Sequence, residues 1–199
     1  MKRLMILCLV VISTINFSSA QVAVGFETET SFYQWNKRPI DQTSEFRSTG
    51  QVLGIGAGPK IWFGDWNSWT ISLEAKANFA ALSLDVQKYK GMGTLSFPII
   101  TKVNIDPTGM DGTFKIGVGG GVQWTITEIY ARPKDYRTKN SFFISYIGEL
   151  SIQIITDDAP IFQNSDSGPS VELFVRGGGS PKGAIIFSFG VKYNVRTHF

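Results

Sequence analysis

From Gln21 onward the chain alternates apolar and polar residues with a period of two, the signature of strands with one buried and one differently solvated face. The last segment shows it best. Ile185, Phe187, Phe189, Val191, Tyr193, Val195, Thr197 and Phe199 fall on one side, while Ile186, Ser188, Gly190, Lys192, Asn194, Arg196 and His198 fall on the other. Successive side chains of a strand point to opposite faces, so each such segment has an apolar and a polar side. The pattern recurs over residues 22–32, 53–57, 69–79, 95–105, 114–126, 142–154 and 171–175. This predicts about eight strands, most of them reaching the roughly 9–11 residues that cross a bilayer at a tilt. The seventh, over 170–176, is predicted to be short, and Phe174 breaks its alternation. Turn-rich stretches separate the strands at 36–50, 64–67, 106–112, 131–140, 157–168 and 177–183, with a further loop at 81–91 into which Leu82, Leu84 and Val86 could extend a strand. Pro98 lacks a backbone N–H, which predicts a bulge or a local gap in the ladder at that point.

Alternation alone fits two architectures of opposite polarity. A soluble lipocalin-like barrel buries its apolar face, and a membrane barrel turns that face to lipid. Three features favour lipid. First, the polar face carries Glu27, Glu29, Glu74, Glu149 and Glu172 against Lys76, Lys102, Lys115, Arg176, Lys192 and Arg196, many in mid-strand and nearly balanced in charge. These are predicted to form a lumenal polar network, and the glycines sharing that face suit the limited volume inside eight strands. Second, the aromatics gather toward strand ends. Trp62, Trp66, Trp69 and Phe199 are expected in a girdle at the periplasmic side, and Trp35 and Trp124 in one at the outer side. Third, the terminal strand ending in Phe199 resembles the signal read by the outer-membrane barrel assembly machinery, which makes that machinery an expected partner during insertion. The expected fold is therefore all-β: a single closed antiparallel up-and-down barrel of about eight transmembrane strands. Closure follows because every backbone polar group in hydrocarbon must be paired internally.

The opening segment changes the picture of compartment. Lys2 and Arg3 precede an apolar run from Leu4 to Ile12, and Ser18-Ser19-Ala20 close it, which predicts a cleaved signal peptide over 1–20 and a barrel domain over 21–199. The apolar run is shorter than the roughly 20 residues of a transmembrane helix. The whole chain has 19 basic and 16 acidic residues, and removing Lys2 and Arg3 leaves the remainder at +1. That balance argues against nucleic acid as a partner. The only cysteine, Cys8, lies in the segment to be removed, so the mature domain is expected to have no disulfide and no thiolate chemistry.

Candidate chemistry is sparse, and neither a cofactor nor an enzymatic activity is expected. Gly54-Ile55-Gly56-Ala57-Gly58-Pro59-Lys60 superficially matches a phosphate loop, but Ile61-Trp62-Phe63 continue a strand where that loop must open a helix. The Gly117 to Gly121 run likewise lies within unbroken alternation. Glu27 and Glu29 share a face as an acid–base pair would, and lumenal ion pairing is the preferred reading. His198 is the sole histidine, which leaves a serine–histidine hydrolase or a histidine metal site without its parts. Arg132, Lys134, Arg137 and Lys139 cluster around Tyr136 in a predicted outer loop, a candidate contact for lipopolysaccharide phosphates alongside the outer-membrane lipid itself. The segment 157–166 is a weaker candidate for calcium.

The segment Gly93-Thr94-Leu95-Ser96-Phe97-Pro98-Ile99-Ile100-Thr101-Lys102, the run Gly117-Val118-Gly119-Gly120-Gly121 and the terminal strand resemble the PorT-like outer-membrane β-barrel family of Bacteroidetes. The resemblance implies an integral outer-membrane protein of a Gram-negative bacterium and does not name a ligand. The expected function is a structural or interaction role, with a polar filled lumen and little or no conductance. A small passive pore, a barrel that binds a hydrophobic ligand and a soluble periplasmic lipocalin-like binder are the alternatives.

Overall fold

The computed structural model describes residues 21–37, 47–48, 52–83, 93–109, 114–126, 142–155, 169–181 and 183–198. The expected signal segment 1–20 lies outside them. The elements are β1 (Gln21–Lys37), β2 (Arg47–Ser48), β3 (Val52–Asp65), β4 (Trp69–Ala75), β5 (Ala77–Ser83), β6 (Thr94–Ile105), β7 (Phe114–Ile126), β8 (Phe142–Ile155), β9 (Ser170–Gly179) and β10 (Ala184–His198). β2 is a two-residue addition to β1, and β4 and β5 are two halves of one stave. Eight staves therefore run as an antiparallel meander, and β1 closes the sheet by pairing with both β3 and β10. Both ends of the described chain, Gln21 and His198, lie at one rim, here the termini rim; the β9–β10 turn lies at the far rim.

The register fixes the barrel's proportions. Val24 is opposite Ile61, which leads through Leu73, Thr101, Gly120, Gly148, Gly177 and Phe187 back to β1 at Gln34, ten residues further along. Eight strands with that stagger tilt by about 40° and leave an interior wide enough for side chains and little else.

Polarity is inverted relative to a soluble protein. The outward positions carry Ile55 at 63%, Val118 at 60% and Tyr146 at 65% exposure, with Phe26, Leu150 and Leu173 similarly bare. The inward positions carry Glu27, Glu74, Lys102, Lys115 and Lys192 at 0%. The lipocalin-like alternative requires the reverse and is excluded by this arrangement. A wall of this kind is stable only where hydrocarbon bathes it, because contiguous apolar surface of this extent is not left in water.

Three local expectations meet the structure differently. At Pro98 the ladder shows a gap and no bulge. The Lys76 N–H donates to the Pro98 carbonyl at 3.1 Å, proline has no hydrogen to return, and the stave is interrupted at Lys76 while the register continues unshifted on either side. A register shift lies elsewhere, between Leu53 and Gly54. The seventh stave is longer than expected: β9 runs through Gly177, Gly178 and Gly179, which pair with Phe187, Ile186 and Ile185 of β10, so the turn shrinks to a few residues. Between β3 and β4 the chain reverses next to Gly64, whose φ of 139° favours glycine. Asp65 then accepts from the Asn67 N–H at 3.0 Å and the Ser68 hydroxyl at 2.8 Å.

Candidate functional site

Among the described residues, chemistry is concentrated in the lumen. Its middle is a closed set of ion pairs in which five carboxylates, Glu27, Glu29, Glu74, Glu149 and Glu172, meet five cations, Lys60, Lys76, Lys102, Arg176 and Lys192. Lys60 Nζ lies 2.6 Å from Glu27 and 2.9 Å from Glu172. Lys76 lies 2.8 Å from both Glu29 and Glu74 and also pairs with Glu27. Lys102 reaches Glu149 at 2.8 Å and Glu74 at 3.1 Å and pairs with Glu172. Arg176 bridges Glu29 at 2.9 Å and Glu149 at 2.7 Å, and Lys192 lies 3.0 Å from Glu74 and pairs with Glu149. Every stave except β7 contributes. That stave supplies Gly117, Gly119 and Gly121 instead, and a Cβ on Gly119 would collide with the Lys102 side chain and the Thr101 carbonyl. A buried ion pair is sustained only when its remaining lone pairs and protons are also engaged, and sharing each carboxylate among two or three cations does this here.

Phe174 explains its own break in the pattern. It faces inward, 3% exposed, with the Arg176 guanidinium and the Lys192 ammonium each 4.8 Å from its ring, so it packs under two cations instead of meeting lipid.

Toward the far rim the interior turns apolar, where an all-polar lumen was expected. Tyr33, Trp35, Ala80, Phe143, Ile147, Ala184 and Ile186 pack with Ile100 into a buried cluster. Trp35 and Phe143 are 6.0 Å apart, and the Trp35 indole N–H donates to Thr94 at 3.3 Å. Between cluster and ion pairs, the Gln123 amide donates to the Tyr33 hydroxyl at 3.1 Å and to Thr125 at 3.2 Å.

The aromatic girdle needs correction. Trp69 and Trp124 face outward, and Trp69 meets Phe63 edge-on at 6.4 Å. Trp35 and Trp62, each 1% exposed, point into the lumen. The reason is phase. Trp62 lies two residues from Lys60, and Trp35 two from Tyr33, so both share the inward side, and nearness to a strand end says nothing about which face a residue takes. Trp66, in the β3–β4 turn, folds over the mouth at the termini rim, 6.2 Å from Trp62. Lys115 and Arg196, expected in the lumenal polar network, are buried on the inward face but lie at this mouth, apart from the central ion pairs, with Lys115 Nζ 4.9 Å and Arg196 Cζ 4.4 Å from the Trp66 ring. Glu27, Glu29, Glu74, Lys76, Lys102, Glu149, Glu172 and Lys192 lie in the ion-paired middle. Lys60 is absent from the expected network, and its glycine-rich approach, which superficially matches a phosphate loop, masks its place there. Its phase with Gly54, Gly56 and Gly58 was the available signal. Phe199, the basic cluster Arg132, Lys134, Arg137 and Lys139, and the segment 157–166 lie outside the described residues.

Closed staves, an apolar exterior and an ion-paired interior define the class: an eight-stranded β-barrel of the bacterial outer-membrane type. Within that class, no family model matches the sequence and no curated protein is similar to it. Among solved structures, the chain is similar to Ail, the attachment invasion locus protein of Yersinia pestis, at 5% identity over 89% of this chain and 97% of that one, with a TM-score of 0.48. It is also similar to the outer membrane protein OprG from Pseudomonas aeruginosa, at 12% identity, 93% and 99% coverage and a TM-score of 0.43. Neisserial surface protein A is a third, at 10% identity, 88% and 97% coverage and a TM-score of 0.48. The assignment of class rests on the barrel's own geometry.

Proposed function

We propose that this protein is a sealed structural or interaction barrel of the Gram-negative outer membrane, without a conducting pore and without catalytic activity. The observation that supports this most is that two different fillings obstruct the lumen in series, the five-by-five ion-pair layer and the apolar cluster around Trp35 and Phe143. An ion crossing the first would have to break several buried pairs, and crossing the second would strip its hydration shell. The non-catalytic reading draws on a sequence whose sole histidine is the penultimate residue, His198.

In this reading the termini rim faces the periplasm, and the basic cluster Arg132, Lys134, Arg137 and Lys139 meets lipopolysaccharide phosphates outside. The barrel assembly machinery reads the terminal strand during insertion. The PorT-like resemblance of residues 93–102 makes a Bacteroidetes family the proposed kin. Purified protein in planar bilayers tests the central point: the expected record is a quiet baseline, and a large, steady single-channel current would refute the sealed lumen.

A second reading draws on an apolar groove of about 460 Å³ on the outer wall, bordered by Phe32, Leu53, Leu173, Val175, Phe187 and Phe189. It would hold a hydrophobic molecule against the outside of the barrel and leave the interior filled. Soaking crystals with lipid or detergent separates the two readings, since an ordered chain in that groove supports the second and its absence at saturation the first.

A further inference from the structure

The mouth at the termini rim differs from the rest of the lumen in how its charge is matched. Each of the five central cations has a carboxylate within 3.0 Å: Lys60 at 2.6 Å, Lys76 and Lys102 at 2.8 Å, Arg176 at 2.7 Å and Lys192 at 3.0 Å. Lys115 has none. It is 0% exposed, its ammonium donates no hydrogen bond, and no carboxylate lies within 4.0 Å of it among the described residues. Its one close partner is the face of Trp66 at 4.9 Å, an indole that also carries the Arg196 guanidinium at 4.4 Å.

Two acids stand near this mouth without touching the Lys115 ammonium, and each accepts hydrogen bonds from its own turn. Asp65 accepts from Asn67 and Ser68. Asp106 accepts from the Thr108 N–H at 2.7 Å, the Thr108 hydroxyl at 2.6 Å and the Gly109 N–H at 3.2 Å. A cation–π contact offsets only part of the cost of burying an ammonium that no carboxylate touches. The surroundings are already arranged as an anion site is: one positive charge aimed inward, a second beside it, and an aromatic lid that is only half-buried.

We propose that Lys115 and Arg196 form a binding site for a small oxyanion, a phosphate or a carboxylate, which enters from water at the termini rim by displacing the Trp66 ring. Lys115 supplies the primary charge-assisted hydrogen bond and Arg196 a second cation beside it. Trp66 covers the site when it is empty and reports its occupation. The site is separate from the sealed middle of the lumen and does not depend on it.

The test uses the folded mature chain in zwitterionic micelles. The Trp66 indole N–H resonance is identified by its loss in Trp66→Phe. Inorganic phosphate and acetate are titrated in turn, each replacing chloride at constant ionic strength. The expected result is a saturable shift of the Trp66 signal with at least one of the two, the better ligand naming the chemistry. Lys115→Gln is expected to raise the midpoint at least about tenfold while the other indole signals stay in place. If that variant does not fold, the ¹⁵Nζ resonance of Lys115 in the unaltered chain is followed instead and should saturate at the same midpoint. A linear drift with both anions, or saturation unaffected by Lys115→Gln, overturns the proposal.

Discussion

The two fillings of the lumen, the ion-paired middle and the apolar cluster toward the far rim, occupy neighbouring stretches of the same staves and are held by opposite physics. In the middle, each group depends on the others' charge. Glu149 alone serves Lys102, Arg176 and Lys192. In the cluster, Trp35, Phe143 and Ile186 depend chiefly on shape, with uncharged hydrogen bonds such as that from the Trp35 indole to Thr94. The difference shows where each kind of core suits a membrane barrel. The apolar wall is given over to lipid, so the interior has to be filled from residues in the opposite phase, and a narrow interior can be filled either by balanced charges or by large rings. The first specifies register, since a slip by one residue would turn every charge to lipid. The second seals.

This comparison is most sharply broken by unbalancing the charged layer. Glu149→Gln keeps the volume but leaves three cations short of a carboxylate, and it should destabilise the barrel by about 3–5 kcal/mol, read as a lowered urea midpoint in phospholipid vesicles. A loss below 1 kcal/mol would mean that water already shares these charges. Next in size, a charge placed on the lipid side should behave as it would in hydrocarbon. Val118→Arg, at a position 60% exposed, should cost about 2–4 kcal/mol in the same vesicles, whereas a water-facing wall would tolerate it. The smallest effect belongs to the sealing cluster. Trp35→Phe retains most of the ring packing and removes the hydrogen bond to Thr94, so the expected loss is about 1 kcal/mol, measured by the same urea titration, with bilayer conductance still absent.

Much of the architecture was legible because its cause is local. Period-two alternation is a property of single strands, and it placed all eight staves and the phase of Glu27, Glu74, Lys102 and Lys192. What was hidden depends on neighbours far away in sequence. Lys60 meets Glu172 across 112 positions, and Arg176 meets Glu29 across 147, through a stagger of ten residues that no single strand encodes. Phe174 looked like an irregularity because an inward aromatic makes sense only once Arg176 and Lys192 are seen above its ring. Nearness to a strand end suggests a girdle place for Trp35 and Trp62, although phase, which the sequence does carry, governs their direction. Pro98 was readable as a missing donor, but that its consequence falls on Lys76 of the adjacent stave required the register.

The central claim is that the outward face of every stave meets acyl chains while the inward face is dry and filled. Brominated-lipid quenching of single-tryptophan variants in vesicles tests it most directly. Chains keeping only Trp69 or only Trp124 should be strongly quenched, and chains keeping only Trp35 or only Trp62 should retain their emission. Quenching of Trp35 and Trp62 with Trp69 and Trp124 spared would contradict the claim.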